Sequence, residues 1–256
     1  MSDAAVPLLD VRALSKNFGG VQALDRLSLT VNRNEALGIV GPNGAGKTVL
    51  VNCVTGFYRP NAGRISFLGR DITGLPLHVI GRLGVARTFQ NIRLFRRMTV
   101  LENVIAASHD WIARPLRSLL APGGGAGFTR PALELLERVR LADKADSLAG
   151  SLAYGEARRL EIARALATRP KLLLLDEPSA GMNEQETEEL AADIKNNSDL
   201  FDSVVIIEHD IGFIRALSDR IVAMDYGRKI AEGSAEEVFS DPQVVDAYLG
   251  AEHAHG

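Results

Sequence analysis

The spacing of apolar positions changes twice along this chain and divides it into three stretches. In the first, Leu27, Leu29 and Val31 alternate with polar residues, and Ile65 and Phe67 do the same in a run that ends at Gly69. A period of two is that of a half-buried strand. Between these runs, Glu35 to Val40 is a short apolar segment entering a glycine-rich turn. Val49, Leu50, Val51, Cys53 and Val54 follow it without glycine until Gly56, which predicts a strand, a loop and a helix. From about Asn91 to Ala167 the pattern is helical, with Leu133, Leu135, Leu136 and Val139 gathered on one helix face. Pro122 to Gly127 (PGGGAG) interrupts it and reads as a flexible loop between helices. The last third returns to strands. Lys171 to Asp176 contains four consecutive leucines, as in a strand buried on both faces of a parallel sheet. Val204 to Ile207 and Ile221 to Met224 are two more such runs, with helical stretches such as Glu184 to Lys195 between them. Strands alternating with helices predict an α/β fold with a parallel core. Glu252 to Gly256 is polar and reads as a frayed end.

Composition narrows this picture. A chain of 256 residues, 46% hydrophobic and 24% charged, is ordinary globular material; it is neither disordered, collagen-like nor a coiled coil. A net charge of −3 and only 5% aromatic residues leave no basic field and few stacking rings, so a nucleic-acid partner is not expected. Cys53 is the single cysteine, which fits a reducing compartment. Met1 to Asp10 lacks a basic segment followed by an apolar core, and no run of about 18 apolar residues occurs. The expectation is a soluble, cytoplasmic chain whose membrane role, if any, comes through a partner.

The glycine-rich turn carries the first chemistry. Gly41-Pro42-Asn43-Gly44-Ala45-Gly46-Lys47-Thr48 matches G-x-x-x-x-G-K-[ST] at every fixed position. Glycines let the backbone curl so that several N–H groups point at one phosphate chain, and the start of the following helix adds its partial positive charge. Gly41, Asn43, Gly44, Ala45, Gly46, Lys47, Thr48 and Val49 are therefore the candidate nucleotide-binding positions. Lys47 would reach the β- and γ-phosphates and Thr48 would hold Mg²⁺. The loop alone does not choose between kinase, GTPase and ATPase. Pro122 to Gly127 is not a second such loop, since no Lys-Ser/Thr pair follows it.

The leucine run ends in Asp176 and Glu177. Open α/β sheets bind ligands at the carboxyl ends of their strands. Successive side chains point in different directions, so the two acids divide the work. Asp176 is the natural Mg²⁺ partner, through a water, and Glu177 is left to polarise an attacking water. The bland alternative is an N-cap Asp followed by a solvated Glu. About 130 residues separate Lys47 from Asp176. The helical block accounts for the excess and reads as an insertion between the two motifs.

Inside that block, Ser151-Leu152-Ala153-Tyr154-Gly155-Glu156 and the basic helix after it resemble the signature sequence of ABC-family ATPases. Gln90, in Thr88-Phe89-Gln90-Asn91, resembles that family's Q-loop; Ser179 to Asn183 its D-loop; and His209, in Ile207-Glu208-His209-Asp210, its switch histidine. The motifs fall in the family's order across nearly the whole chain. Gly84 to Phe95, Leu160 to Arg164, Asp225 to Gly233 and the ending Ala247-Tyr-Leu-Gly250 resemble more closely the ATP-binding subunits of branched-chain amino-acid importers, the LivG type.

The resemblance implies a P-loop NTPase core with a mainly parallel sheet, an N-terminal antiparallel β subdomain and an inserted α-helical subdomain. Residues 1–90 and 168–235 would form the core and β subdomain, 91–167 the helical subdomain, and 236–256 a C-terminal helical tail. Gln90 would ligate Mg²⁺ and report nucleotide state. His209 would contact the γ-phosphate. Phe18 would stack on adenine, or else be a core residue. Ala153, Gly155 and Glu156 would cover the nucleotide of a second cassette. Ala153 stands where the family has Ser, Tyr154 where it has Gly, Glu156 where it has Gln, and Asn183 where it has Asp. The implied cofactors are ATP and Mg²⁺. The implied partners are transmembrane permease subunits, a second cassette (a copy or a paralogue) and, indirectly, a substrate-binding protein, at the cytoplasmic face of the membrane. Importers of urea or amides and some lipid exporters share much of the pattern. A non-transport ABC protein would usually carry two cassettes or a long coiled coil, and a GTPase would want Asn-Lys-x-Asp; neither feature is found.

Overall fold

Alternation along the leucine run sorts its side chains onto the two faces of one sheet. Leu172 and Leu174 of β7 (Leu172–Asp176) join one hydrophobic layer, Leu173 and Leu175 the other, as a period of two requires. All five residues of β7 and all five of β8 (Ser203–Ile207) are buried, which is why both read as unbroken apolar runs. The structure is a computed structural model and describes residues 6–88, 90, 92–108 and 126–253. β7 and β8 belong to a six-stranded sheet with β3 (Ala36–Val40), β6 (Val85–Arg87), β9 (Arg220–Asp225) and β10 (Arg228–Gly233), in the order β10-β9-β3-β8-β7-β6. Every pairing is parallel except that of β9 with β10.

A second, antiparallel sheet has the order β2-β1-β4-β5, from β1 (Leu9–Phe18), β2 (Val21–Val31), β4 (Ala62–Phe67) and β5 (Arg70–Asp71). Val11 pairs with Leu29 on one side and Ile65 on the other. These three residues share a core with Leu37, Leu174, Val205 and Val222 of the main sheet and with Leu50, Val51 and Val54 of helix α1 (Lys47–Val54). The helix after the glycine loop is thus packed against both sheets. Cys53 lies in this core, and burial pushes its thiol up to about 11, so it stays protonated and inert. Helix α2 (Leu77–Leu83) leads into β6.

The helical block consists of α3 (Val100–Ala107), α4 (Ala126–Arg138) and α5 (Tyr154–Ala167), joined on the described residues by short 3₁₀ turns. Val100 and Val104, Leu136 and Leu160 meet in a core of their own. Helix α5 belongs to two layers: Leu160 and Ala163 face the block, whereas Ile162 and Leu166 face the main sheet. The sheet's layer on that side also takes α6 (Glu184–Asn196), α7 (Ile211–Leu217), α8 (Ala235–Ser240) and α9 (Pro242–His253), through Leu190, Phe213, Val238 and Val244.

Three expectations change. Helix begins at Val100, not near Asn91, which itself lies outside the described residues, as does Phe89. Ile92 to Met98 form no helix; there buried Asn103 accepts from the Phe95 N–H and donates to its carbonyl, at 3.0 Å each, and the Met98 N–H shares that carbonyl at 2.9 Å. Thr99 then starts α3 with a reciprocal capping box to Glu102, an arrangement contributing about 1 kcal/mol. The glycine-rich interruption is shorter than expected: residues 122–125 lie outside the described residues, but Ala126 and Gly127 open α4. At the polar end the helical backbone of α9 extends through His253, past Glu252, and residues 254–256 lie outside the described residues. Among the described residues no helix is long and apolar enough to cross a membrane.

Candidate nucleotide site

Two glycines explain the loop after β3. Gly41 has φ 147°, and a Cβ there would lie 2.1 Å from the carbonyl oxygen of Met224 on β9. Gly46 has φ 96°, and its Cβ would lie 2.4 Å from the carbonyl oxygen of Ala23 on β2. The loop therefore threads between both sheets only because these positions lack side chains. Gly46 caps α1 with no side-chain bond, so the first N–H groups of the helix keep their capacity for an anion. Asn43, Gly44 and Thr48 are exposed, Ala45 is buried, and Val49 packs its side chain on the core, leaving its backbone to serve a ligand.

Lys47 bends back over the loop. Its Nζ donates to the carbonyls of Gly41 at 2.6 Å and Pro42 at 3.0 Å. Burial lowers its pKa, and the nearby charges of Glu177 and Asp176 oppose that shift, so the fold has brought both acids close to this ammonium. Asp176 is the buried last residue of β7, which overturns its reading as a helix cap. Its Oδ2 accepts from Arg87 Nη2 at 2.7 Å, and Arg87 Nη1 donates to Asn52 Oδ1 on α1 at 2.5 Å.

Glu177 turns away from its neighbour because its backbone is left-handed, with φ 48°, a conformation that costs a non-glycine residue about 1–2 kcal/mol. The bond from its N–H to the Ile207 carbonyl, 2.9 Å, helps to hold it there. Its Oε1 lies 2.9 Å from His209 Nε2, and its Oε2 accepts from Gln90 Nε2 at 2.6 Å. Gln90, Glu177 and His209 thus form a line of side chains from three separate segments. In the tautomer with the proton on Nε2, His209 donates to Glu177. Behind it, buried Glu208 accepts from the Ser179 N–H and hydroxyl, both at 2.6 Å, and from the His209 N–H at 3.0 Å. One carboxylate therefore ties the turn after the acidic pair to the histidine.

The Ala153 to Glu156 segment is placed differently. Ala153 caps α5 without a side-chain bond. Glu156 is engaged within its own chain: it accepts from the Ala153 N–H at 3.0 Å and pairs with Lys144, a bond that lowers its pKa. A Cβ at Gly155 would meet Glu186 Oε1 at 3.1 Å, and one at Gly181 would meet the Tyr154 ring at 3.2 Å, so this segment rests on residues 181–186 of its own chain. Asn183 caps α6 in a reciprocal box with Glu186, which gives an Asn at that position a local use. Among the described residues no hydrogen bond joins Ala153, Gly155 or Glu156 to residues 41–48. Phe18 is 41% exposed, so it is not core; its ring meets Tyr58 edge-on at 5.0 Å, with Lys16 Nζ 4.9 Å above it.

Arg87, Asn52, Glu208 and Arg158 escape a reading of the sequence. Arg158, fully buried on α5, bonds Glu161 at 2.7 Å and the Gln90 carbonyl at 2.8 Å, and so fixes the segment carrying Gln90 to that helix. The four leave one sequence signal: each is a polar residue within an apolar run or beside a motif. Arg158→Met is expected to lower unfolding free energy by about 3–5 kcal/mol, because it breaks a buried ion pair. Urea unfolding followed by circular dichroism measures this; a loss under about 1 kcal/mol contradicts it.

Comparison with known proteins places the chain in a family. The family model described as ABC transporter matches residues 24–180. A second, described as branched-chain amino acid ATP-binding cassette transporter, matches residues 228–254. The chain is 44% identical over 250 residues to the high-affinity branched-chain amino acid transport ATP-binding protein BraF of Pseudomonas aeruginosa, covering 95% of this chain and 98% of that one. It is 43% identical over 254 residues to the LivG protein of Salmonella typhimurium, with the same description and the same coverage. The solved structure of an ATP-binding cassette of an ABC transporter in its ADP conformation superposes with a TM-score of 0.84 at 33% identity, covering 96% of this chain and 100% of that one.

Proposed function

Since this chain belongs to the ABC transporter ATP-binding family and is an ATPase of that family, we propose that it powers the import of branched-chain amino acids through partner membrane subunits. The observation that carries the choice of cargo is similarity over nearly the full length of two such import subunits, joined by the match at residues 228–254. In this proposal residues 1–90 and 168–235 form the nucleotide core with its β subdomain, 91–167 the helical block and 236–256 the tail. The chain sits at the cytoplasmic face of the membrane, held there by its partners.

The residue roles belong to the same proposal. Residues 41–49 and Lys47 hold the ATP phosphates, and exposed Phe18 offers its ring to adenine. Hard oxygen donors suit Mg²⁺. Arg87 bonds Asp176 through Oδ2, which leaves Oδ1 for a metal-bound water; the Gln90 amide donates through Nε2, which leaves its oxygen; and the Thr48 hydroxyl is exposed. Mg²⁺, when bound, neutralises charge on the β- and γ-phosphates. Water attacks the γ-phosphorus, its proton passes to Glu177, and the bond to the β–γ bridging oxygen breaks. Gln90 and His209 hold the Glu177 carboxylate in place, and His209 also faces the γ-phosphate as charge develops. The Ala153–Gly155 segment completes the site of a second cassette, copy or paralogue, through the Gly155 N–H and the start of α5. Glu156 orients that helix start and makes no nucleotide contact itself.

The test is reconstitution with permease subunits and a binding protein in vesicles, with ATP inside. ATP-dependent uptake of labelled leucine, at least about tenfold above that of urea, is the expected result; equal uptake of both rejects this cargo. Arg96 and Arg97 are exposed ahead of α3, and Arg93 is exposed beside them. Reversing all three charges is expected to reduce co-purification of the permease and its stimulation of ATPase about tenfold, with basal ATPase unchanged. Intact assembly and stimulation would remove this surface from the permease interface.

A further inference from the structure

Gly41 is held at both of its polar groups. Its carbonyl accepts from Lys47 Nζ at 2.6 Å. Its N–H lies beyond the ladder of β3, whose pairing ends with Ile39 opposite Ile207 and Val40 opposite Ala223, so no strand supplies an acceptor. The acceptor comes from the far end of the chain: the Tyr248 hydroxyl on α9, at 2.9 Å. The Tyr248 ring packs on the hydrophobic layer that also holds Val40, Ala223 and Val244. A helix at residues 242–253 thus reaches across the sheet to the first residue of the glycine loop. The elements that deliver it, β10, α8 and α9, are the ones covered by the family match at residues 228–254.

We propose that Tyr248 is a positioning residue of the phosphate loop: its hydroxyl fixes Gly41, the pivot from which the loop and Lys47 are set, and the C-terminal helix thereby tunes nucleotide affinity. The inference rests on the assignment of residues 41–48 to the nucleotide. Tyr248 acts through the backbone of Gly41, so it changes how well the loop is formed before ATP arrives. Affinity and KM should move, and the chemical step should not.

Tyr248→Phe in the full chain removes the hydroxyl and keeps the ring. It is expected to raise the Kd for both ATP and ADP about three- to tenfold, the loss of one hydrogen bond to a buried N–H. KM should rise by the same factor, with kcat within about twofold. Backbone hydrogen exchange should quicken in residues 41–48 and stay unchanged in β8. Tyr248→Leu should match it in affinity while also losing thermal stability, because the ring packing goes too. A Tyr248→Phe protein with wild-type Kd and wild-type exchange overturns the proposal. So does an affinity loss confined to Tyr248→Leu and tracking its lower Tm. Failure of the wild-type chain to bind ATP would instead overturn the assignment of the loop, which keeps the two readings apart.

Discussion

Glu177→Gln is expected to lower ATP turnover by at least about 100-fold while leaving nucleotide affinity near that of the wild type, the scale of losing a general base. The substitution tests chemistry and not folding. Gln has the same length and the same Cβ, so the left-handed backbone at φ 48° and the N–H bond to the Ile207 carbonyl are unaffected. What changes is the acceptor capacity: Glu177 accepts from Gln90 and stands 2.9 Å from His209 Nε2, and an amide keeps only one oxygen for the two. It also has no lone pair basic enough to take the proton of water. With hydrolysis blocked, the sandwich of two cassettes should persist. Light scattering should then give twice the chain mass with Mg-ATP and the chain mass without it. A turnover loss below about tenfold removes Glu177 from the proton-transfer step. A monomer that binds ATP normally but never doubles assigns the second cassette to a paralogue and not to a copy.

Lys47→Ala should produce the largest loss of binding, with the Kd for ATP rising about 100- to 1,000-fold; hydrogen bonds from a charged donor to phosphate oxygens are among the strongest available. Fluorescent-nucleotide titration reads it directly, and a change below about fivefold would separate the lysine from phosphate binding. In the absence of nucleotide the same variant loses the two bonds from Nζ to the Gly41 and Pro42 carbonyls, which offsets what it gains by removing a partly buried charge. Burial lowers the Lys47 pKa, so its charged form costs folding free energy at neutral pH. For a folded pKa below the unfolded value, that cost persists at low pH and fades as pH rises between the two. Replacing the lysine should therefore flatten that rise in stability at alkaline pH, measured by urea unfolding. A phosphate nearby would reverse the balance, since an anion favours the ammonium.

Much of this molecule is determined by local sequence. The glycine loop, the strand before it and the helix after it follow from residues within about 20 positions of one another, because a turn that needs positive φ and a helix that needs an apolar face are short-range demands. The burial of β7 and β8 on both faces follows in the same way from their apolar runs. The start of the helical block is less legible: Asn103, eight residues on, bonds both polar groups of Phe95 in the non-helical stretch Ile92 to Met98, a side-chain contact that no apolar period records.

Only the tertiary structure decided the pairings that turn these motifs into a site. Strand order β8-β7-β6 sets Arg87 beside Asp176 and brings Gln90 and His209 to opposite oxygens of Glu177. Glu208 meets Ser179, Arg158 meets the backbone of Gln90, and Tyr248 meets Gly41 across 207 positions. None of these contacts has a period or a spacing. Each depends on which strands become neighbours, and that is settled by how the whole set of apolar faces can be buried at once.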